Sequence, residues 1–234
     1  MSKYKEIKAA LLGAGTVGGG VYKLVERRAA EMPDKAGAEL KITKVLVKNL
    51  QKKREGIPSE VLTDDWEGII HDPEISIVIE LMGGVELLAE HGQELMEAAE
   101  RNHRDLCFEA AVGGGIPIIR PLKECLAGNE ITEVMGIVNG TTNYILTKMT
   151  QEGWDFDDAL KEAQRLGFAE ADPTADVGGA DACRKIAILS SLAYGKFLNY
   201  EDIYTEGITK ITTEDMKYAK KMDMAIKLLA SSKR

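Results

Sequence analysis

The chain has 234 residues, 44% of them hydrophobic and 29% charged, with a formal net charge of −8. That length supports one large or two small domains with a sizeable core, and the acidic balance argues against nonspecific nucleic-acid binding and against docking on an anionic membrane. No apolar run reaches the ~18 residues a bilayer span needs, and the opening MSKYKEIKAALLGAG lacks a signal-peptide pattern. Cys107, Cys125 and Cys183 are an odd number at unrelated spacings. They predict a reducing cytoplasm, without a disulfide framework or a metal cluster. His71, His91 and His103 are equally scattered and read as surface or structural residues.

In chain order, residues 7–12 form an apolar run ending in glycines, which predicts a buried strand. Residues 17–31 have helical spacing and stop before Pro33. Residues 40–47 alternate and predict a second strand. Residues 76–81 (SIVIEL) are strongly β-prone, 87–101 predict an amphipathic helix, and 105–111 a further short strand. Strands alternating with helices predict a parallel, doubly wound sheet. The second half differs. Residues 117–126 predict a helix with proline in its first turn, 131–138 a strand, and 141–151, 157–166, 180–194 and 213–232 helices. The expected fold class is α/β: an N-terminal Rossmann-like parallel sheet over residues 1–113, then a C-terminal α+β substrate and dimerisation domain over 114–234. The boundary falls at Gly113-Gly114-Gly115, where glycines serve a flexible joint, a close backbone approach to a ligand, or both.

Gly13-Ala14-Gly15-Thr16-Val17-Gly18 fits G-x-G-x-x-G after the first strand and at the start of a helix. In that setting the first glycine allows a tight turn, the second lets the backbone approach a pyrophosphate, and the third lets helix and strand pack closely. The helix start at Thr16 and Val17 offers N–H groups and a positive dipole end to phosphates. A glycine-rich turn without a ligand satisfies the same six letters, and the flanking strand and helix favour the nucleotide. An acidic side chain after the second strand would hold the ribose hydroxyls of NAD. Here Lys48 and Asn49 stand there, with Lys52, Lys53 and Arg54 behind. A cation suits the 2′-phosphate of NADP; a basic loop is also ordinary solvated surface.

The richest stretch is AQRLGFAEADPTADVGGADACRK, residues 163–185, which sets Glu170, Asp172, Asp176, Asp181 and Lys185 at fixed spacings. Asp181 and Lys185 lie four apart at the start of a predicted helix and share a face. The segment before them is turn-rich, with Asp172-Pro173 and Gly178-Gly179. A carboxylate-bearing loop running into a lysine-bearing helix can transfer protons. A solvated acidic loop with an ordinary helical ion pair gives the same spacing. Upstream, Asn139-Gly140-Thr141 follows a predicted strand, where Thr141 reads as a helix cap, a pocket residue, or both.

This stretch resembles the signature of homoserine dehydrogenases. So do ALLGAGTVGGGV, KVLVKNL, IVIELMGG, FEAAVGGGIPII and IVNGTTNYIL, and the likeness runs through almost the whole chain. The resemblance implies interconversion of L-homoserine and L-aspartate 4-semialdehyde with NADP or NAD, on the route to threonine, methionine and isoleucine. It implies a cytoplasmic enzyme, a small-molecule substrate and a homodimer. By position, Glu170 would hold the substrate ammonium, Thr141 would contact the substrate amine, and Asn139 and Gly140 would line the pocket. Asp176 would lie near the reacting hydroxyl, and Asp181 would orient Lys185, which would manage the hydroxyl proton. Alcohol oxidation needs a proton acceptor beside the carbon that loses hydride. Carboxylates nearby favour the ammonium, so an orienting or electrostatic role for Lys185 stays open. The resemblance also implies a monovalent cation, Na+, held by Glu109 and the carbonyls of Val112, Gly114 and Ile116. The reading from the residues alone is that Glu109 is a strand-end carboxylate.

Two departures stand out. In the family, the segment like ELMGGVE continues through a helix and a strand ending in an Asn-Lys pair; here Glu86 runs directly into Leu87. By the resemblance a unit on the order of 20–25 residues has no counterpart, and with it a second active-site lysine. Either the sheet closes up with one strand fewer or the sequence omits residues the protein has, and only in the first case is the chain expected to have weak or no dehydrogenase activity. Family members also continue beyond the position of Arg234, where a helix is expected to end. Two other readings compete: a non-catalytic dinucleotide-binding relative, and a semialdehyde enzyme with a thiol nucleophile at Cys183 or Cys125. Neither thiol is set at a helix N-terminus or beside a histidine base.

Overall fold

The structure, a computed structural model, describes residues 4–82 and 86–234. The chain divides into two compact units, Met1–Pro117 and Ile118–Arg234.

The first unit contains strands β1 (Lys5–Leu12), β2 (Ala38–Leu46), β3 (Leu62–Thr63), β4 (Ile75–Glu80) and β5 (Asp105–Cys107), with helices α1 (Thr16–Arg27), α2 (Met32–Ala36), α3 (Glu67–Ile70) and α4 (Glu86–Arg101). The strands form one parallel sheet in the order β3-β2-β1-β4-β5. Parallel neighbours need crossover connections, which the helices supply. The central strand is an unbroken apolar run because it is covered on both faces: Ala9, Ala10, Leu11 and Leu12 are fully buried. On one face Leu11, Ile42 and Val45 pack with Tyr22 and Val25 of α1. On the other, Ala10, Leu12 and Ile75 pack with Ile69 and Trp66. The strand order reverses beside β1, so the switch point lies beyond the carboxyl ends of β1 and β4, where open α/β sheets bind ligands.

Some boundaries differ from the sequence expectation. The helix expected over 17–31 ends at Arg27, and Pro33 lies in the first turn of α2, where a missing N–H is harmless. The strand expected over 105–111 stops at Cys107, and residues 110–115 form turns.

The second unit pairs β6 (Glu133–Gly136) antiparallel with β7 (Ala230–Lys233) and carries helices α5 (Gly140–Glu152), α6 (Phe156–Arg165), α7 (Thr174–Val177), α8 (Ala180–Tyr194) and α9 (Thr213–Lys221). Its core joins Ile145, Leu146 and Met149 of α5 to Ala159 and Ala163 of α6, with Val177, Ile208 and Met216. One expectation fails here and a second is modified. The helix over 213–232 ends at Lys221, Asp223 takes a left-handed φ of 56°, and the last residues form β7. The helix over 117–126 contains a π-turn, Pro121–Cys125, closed by Leu126 N–H on the Pro121 carbonyl at 3.0 Å. Pro121 has no N–H to give the preceding turn, which is what loosens the ladder.

Candidate functional site

The second unit brings Asn139, Asp176, Asp181 and Lys185 into one hydrogen-bonded network. α8 spans Ala180–Tyr194 and places Asp181 and Lys185 one turn apart, and they form an ion pair of 2.7 Å with both side chains 18% exposed. Lys185 Nζ also donates to the Val138 carbonyl at 3.1 Å. Asn139, 4% exposed, caps α5 by accepting from Thr142 N–H at 2.8 Å. Its Nδ2 donates to Asp176 Oδ1 at 2.6 Å and to Asp181 Oδ2 at 2.8 Å. The cap of this helix is therefore Asn139; Thr141, for which a cap role was open, lies inside the helix.

The local fold explains how Asp176 reaches Asp181. Within the expected loop, α7 forms a single turn started by Asp172, whose carboxylate accepts from Thr174 N–H and Oγ1. These bonds hold the Asp172 carboxyl below its usual range. Gly179, at φ +88°, then reverses the chain into α8; a Cβ there would lie 3.0 Å from Thr205 Cγ2 and 3.1 Å from the Glu206 carbonyl oxygen. Ile208 N–H ties the same loop to the Val177 carbonyl at 2.8 Å. Thr141, also buried, donates through Oγ1 to the Phe168 carbonyl at 2.6 Å. That bond docks the segment carrying Glu170 on α5. The Glu170 residue itself is exposed, and its main-chain carbonyl accepts from Gln164 Nε2 at 3.1 Å. Thr142, the Val138 carbonyl and Ile208 were not anticipated from the sequence. Only the T-T pair behind Asn-Gly offered any signal for them.

In the first unit the glycine-rich turn lies at the switch point. Gly13 has φ +106°, and a Cβ on it would lie 2.9 Å from the Leu81 carbonyl oxygen. A Cβ on Gly18 would lie 2.2 Å from the Gly13 carbonyl oxygen. Gly15 differs: a Cβ there meets nothing within 4 Å. No side chain caps α1, and Gly19 N–H to the Gly15 carbonyl, 2.8 Å, is the bond that opens the helix. The N–H groups ahead of it, on Thr16, Val17 and Gly18, lack intrahelical acceptors, as in any helix start. This donor set fits a phosphate. Lys48 is exposed just beyond β2, and Asn49 folds the loop by accepting from Gln51 N–H and Lys52 N–H through Oδ1.

Glu109 and residues 110–116 form a turn in which Gly113 and Gly114 have φ of 81° and 57°. The Glu109 and Gly113 carbonyls accept from Val112 N–H and Ile116 N–H. Among the described residues no group of three or more His, Cys, Asp or Glu side chains could hold a metal ion. A set of one carboxylate and several carbonyls is a different, all-oxygen donor set, suited to a hard cation.

Glu80 was not singled out by sequence, although an acid inside SIVIEL is a visible anomaly. It closes β4, is 3% exposed, and accepts from Met82 N–H at 2.7 Å. Burial pushes its carboxyl up to about 7. Residues 83–85, which precede the expected junction after Glu86, and the His91 side chain lie outside the described residues. No helix among the described residues is long and apolar enough to cross a membrane.

Residues 117–233 match the family profile described as homoserine dehydrogenase, and residues 13–100 match that of its NAD binding domain. The chain belongs to the homoserine dehydrogenase family. It is 45% identical to the homoserine dehydrogenase of Bacillus subtilis, over 98% of this chain and 58% of that protein. The crystal structure of a homoserine dehydrogenase from Thiobacillus denitrificans superposes with a TM-score of 0.85 at 42% identity, over 99% of this chain and 59% of that one. A hyperthermophilic archaeal homoserine dehydrogenase in complex with NADPH is similar at a TM-score of 0.76 and 25% identity, over 98% of this chain and 79% of that one. The chain thus spans little more than half the length of the curated relatives it matches. The alignment to the B. subtilis protein runs over 253 positions, more than the 234 residues this chain possesses. Some positions of that homoserine dehydrogenase therefore have no counterpart here.

Proposed function

We propose that the chain interconverts L-homoserine and L-aspartate 4-semialdehyde with NADP(H) or NAD(H). The observation that carries this reading is the network of Asp176, Asn139, Asp181 and Lys185, partly shielded from water inside the region that matches the homoserine dehydrogenase profile. On this reading residues 1–113 bind the dinucleotide and residues 114–234 bind the substrate. Bound NADP+ supplies the hydride acceptor. Gly13, Gly15, Thr16, Val17 and Gly18 hold its pyrophosphate, and Lys48 attracts the 2′-phosphate, which favours NADP over NAD.

Glu170, at the exposed edge of its docked segment, takes the substrate ammonium. Thr141, whose hydroxyl proton is committed to Phe168, has oxygen lone pairs left to accept from that ammonium. Two of the three Lys185 donors are engaged by Asp181 and Val138. The third position of the nitrogen is available to the substrate oxygen: the neutral amine's lone pair takes the hydroxyl proton as the carbon loses hydride, and in the reverse direction the ammonium returns that proton to the carbonyl oxygen as hydride arrives. Asp181 and the Val138 carbonyl fix the direction of that third position, and Asp181 balances the lysine's charge. Glu109 with the Val112, Gly114 and Ile116 carbonyls would hold Na+, whose role would be to stiffen the glycine-rich turn. Met135 of β6 and Ile137 and Leu229, each one residue beyond the β6–β7 pair, are 59%, 45% and 55% exposed, and this apolar surface supports association as a homodimer.

The test is NADP+ reduction on addition of L-homoserine, with NADP+ binding measured alongside. Homoserine-dependent reduction, slow for want of the second lysine, supports the reading. Binding of NADP+ with no reduction would instead make the chain a non-catalytic nucleotide binder.

A further inference from the structure

Asn139 is the most fully engaged polar side chain at the site, and its bonding capacity decides what it can do. A side-chain amide has two donor hydrogens and an oxygen with two lone pairs. The Nδ2 hydrogens go to Asp176 Oδ1 at 2.6 Å and Asp181 Oδ2 at 2.8 Å. The Oδ1 lone pairs receive Thr142 N–H at 2.8 Å and, at 2.9 Å, the Thr142 hydroxyl, which lies farther, 3.2 Å, from the Asn139 main-chain carbonyl. All four are made within the unit, and the residue is 4% exposed. Nothing is left with which the side chain could contact a substrate.

Its two donors meet at one nitrogen. Asp176 comes from the turn of α7 and Asp181 from the first turn of α8, and two carboxylates that share one partner atom repel each other. The shared amide offsets that repulsion with two charge-assisted hydrogen bonds. The adjacent residue completes the grip. The Val138 carbonyl takes Lys185 Nζ, so consecutive residues hold both members of the Asp181–Lys185 pair.

We infer that Asn139 is a positioning residue, an amide clamp that fixes Asp176 and Asp181 around Lys185, and that it does not contact the substrate. The inference rests on the reaction proposed above only for its kinetic consequence; the clamp itself is a property of the folded chain. Asn139→Asp keeps the shape and the helix cap while turning both donors into repulsive contacts. Asn139→Ser keeps the cap but is too short to reach either carboxylate.

The experiment is a double-mutant cycle on the full chain, combining Asn139→Asp with Asp176→Asn and read by thermal melting and by homoserine oxidation. Asn139→Asp should lower the melting temperature by about 5–10 °C. Adding Asp176→Asn should recover part of that loss, because the new amide can donate to the new carboxylate. Both Asn139 variants should lose about 100-fold in kcat, as a misplaced catalytic group does, with KM for homoserine nearly unchanged. Additive melting temperatures, or a raised KM with kcat retained in Asn139→Ser, would overturn the clamp. If the unsubstituted chain does not oxidise homoserine, the proposed reaction fails, and coupling in the melting temperatures still decides the clamp. If Asn139→Asp does not fold, the kcat and KM of Asn139→Ser decide.

Discussion

The three motif glycines of the first unit do different physical work, and substituting each by alanine separates stability from nucleotide binding. At Gly13 an added methyl group meets the Leu81 carbonyl oxygen at 2.9 Å while the backbone sits at φ +106°. The conformational strain is about 1–3 kcal/mol and the overpacking about as much again. At Gly18 the methyl lies 2.2 Å from the Gly13 carbonyl oxygen, a backbone contact that cannot yield without moving β1 or α1. Both variants should therefore lose about 3 kcal/mol or more, which for a chain of this size lowers the melting temperature by about 6–12 °C. Gly15 has φ −77° and open space where its Cβ would be. Gly15→Ala should melt within about 2 °C of the parent, as surface substitutions do. The same methyl occupies the approach to the free N–H groups of α1. Loss of charge-assisted bonds there weakens NADP+ binding by about two orders of magnitude. Scanning calorimetry and NADP+ titration of the three variants check this. A Gly15→Ala protein that binds NADP+ like the parent, or that melts as low as Gly18→Ala, would refute the reasoning.

Four further outcomes are expected. Lys185→Met should lower homoserine oxidation by at least about 100-fold, the usual size of a lost acid–base group, while NADP+ affinity is retained; turnover near that of the parent would remove Lys185 from the chemistry. Lys48→Ala should weaken NADP+ binding about ten-fold, the size of one charge-assisted hydrogen bond, and leave NAD+ binding unchanged, so an equal effect on both cofactors contradicts the 2′-phosphate assignment. Folded Glu80 holds its proton to about pH 7, against a reference value of 4.5; the stability this lends is fully present below pH 4.5, declines as pH rises and is gone above pH 7. That amounts to on the order of 3 kcal/mol, and Glu80→Gln should flatten the corresponding part of the melting profile between pH 4.5 and 8. Glu109→Gln should abolish any stabilisation by Na+ that tetramethylammonium at equal ionic strength does not reproduce; the same sodium response in both proteins would count against the cation site.

Much of the site was legible because its residues are close in sequence. Asp176, Asp181 and Lys185 lie within ten positions of one another, and the four-residue spacing on a helix sets the 2.7 Å ion pair directly. The role of Asn139 was not legible, because it sits 37 positions before Asp176 and 42 before Asp181 and its local signal is that of a helix cap. Glu80 went unremarked for a related reason: a strand pattern shows an acid interrupting an apolar run, but its burial depends on tertiary packing. The end of the chain was misread on physical grounds. Met-Ala-Ile-Lys-Leu-Leu-Ala is made of good helix formers, and nothing within it announces a strand.

The sequence by itself determined the alternating first unit, the glycine-rich turn between strand and helix, and the start and finish of α8. Each rests on local periodicity, on a glycine that the backbone requires, or on a fixed helical spacing. Tertiary structure decided what depends on partners distant in the chain. β7 is a strand because β6, about a hundred residues earlier, offers it an antiparallel edge, and tertiary pairing overrides weak helical propensity. Gly15 is separated from Gly18 by the space around it, and from Gly13 by that space and by backbone conformation. Two carboxylates and a lysine become one ordered network because an asparagine from another helix lies between them, and that placement follows from the packing of α5 and α7 around a shared core.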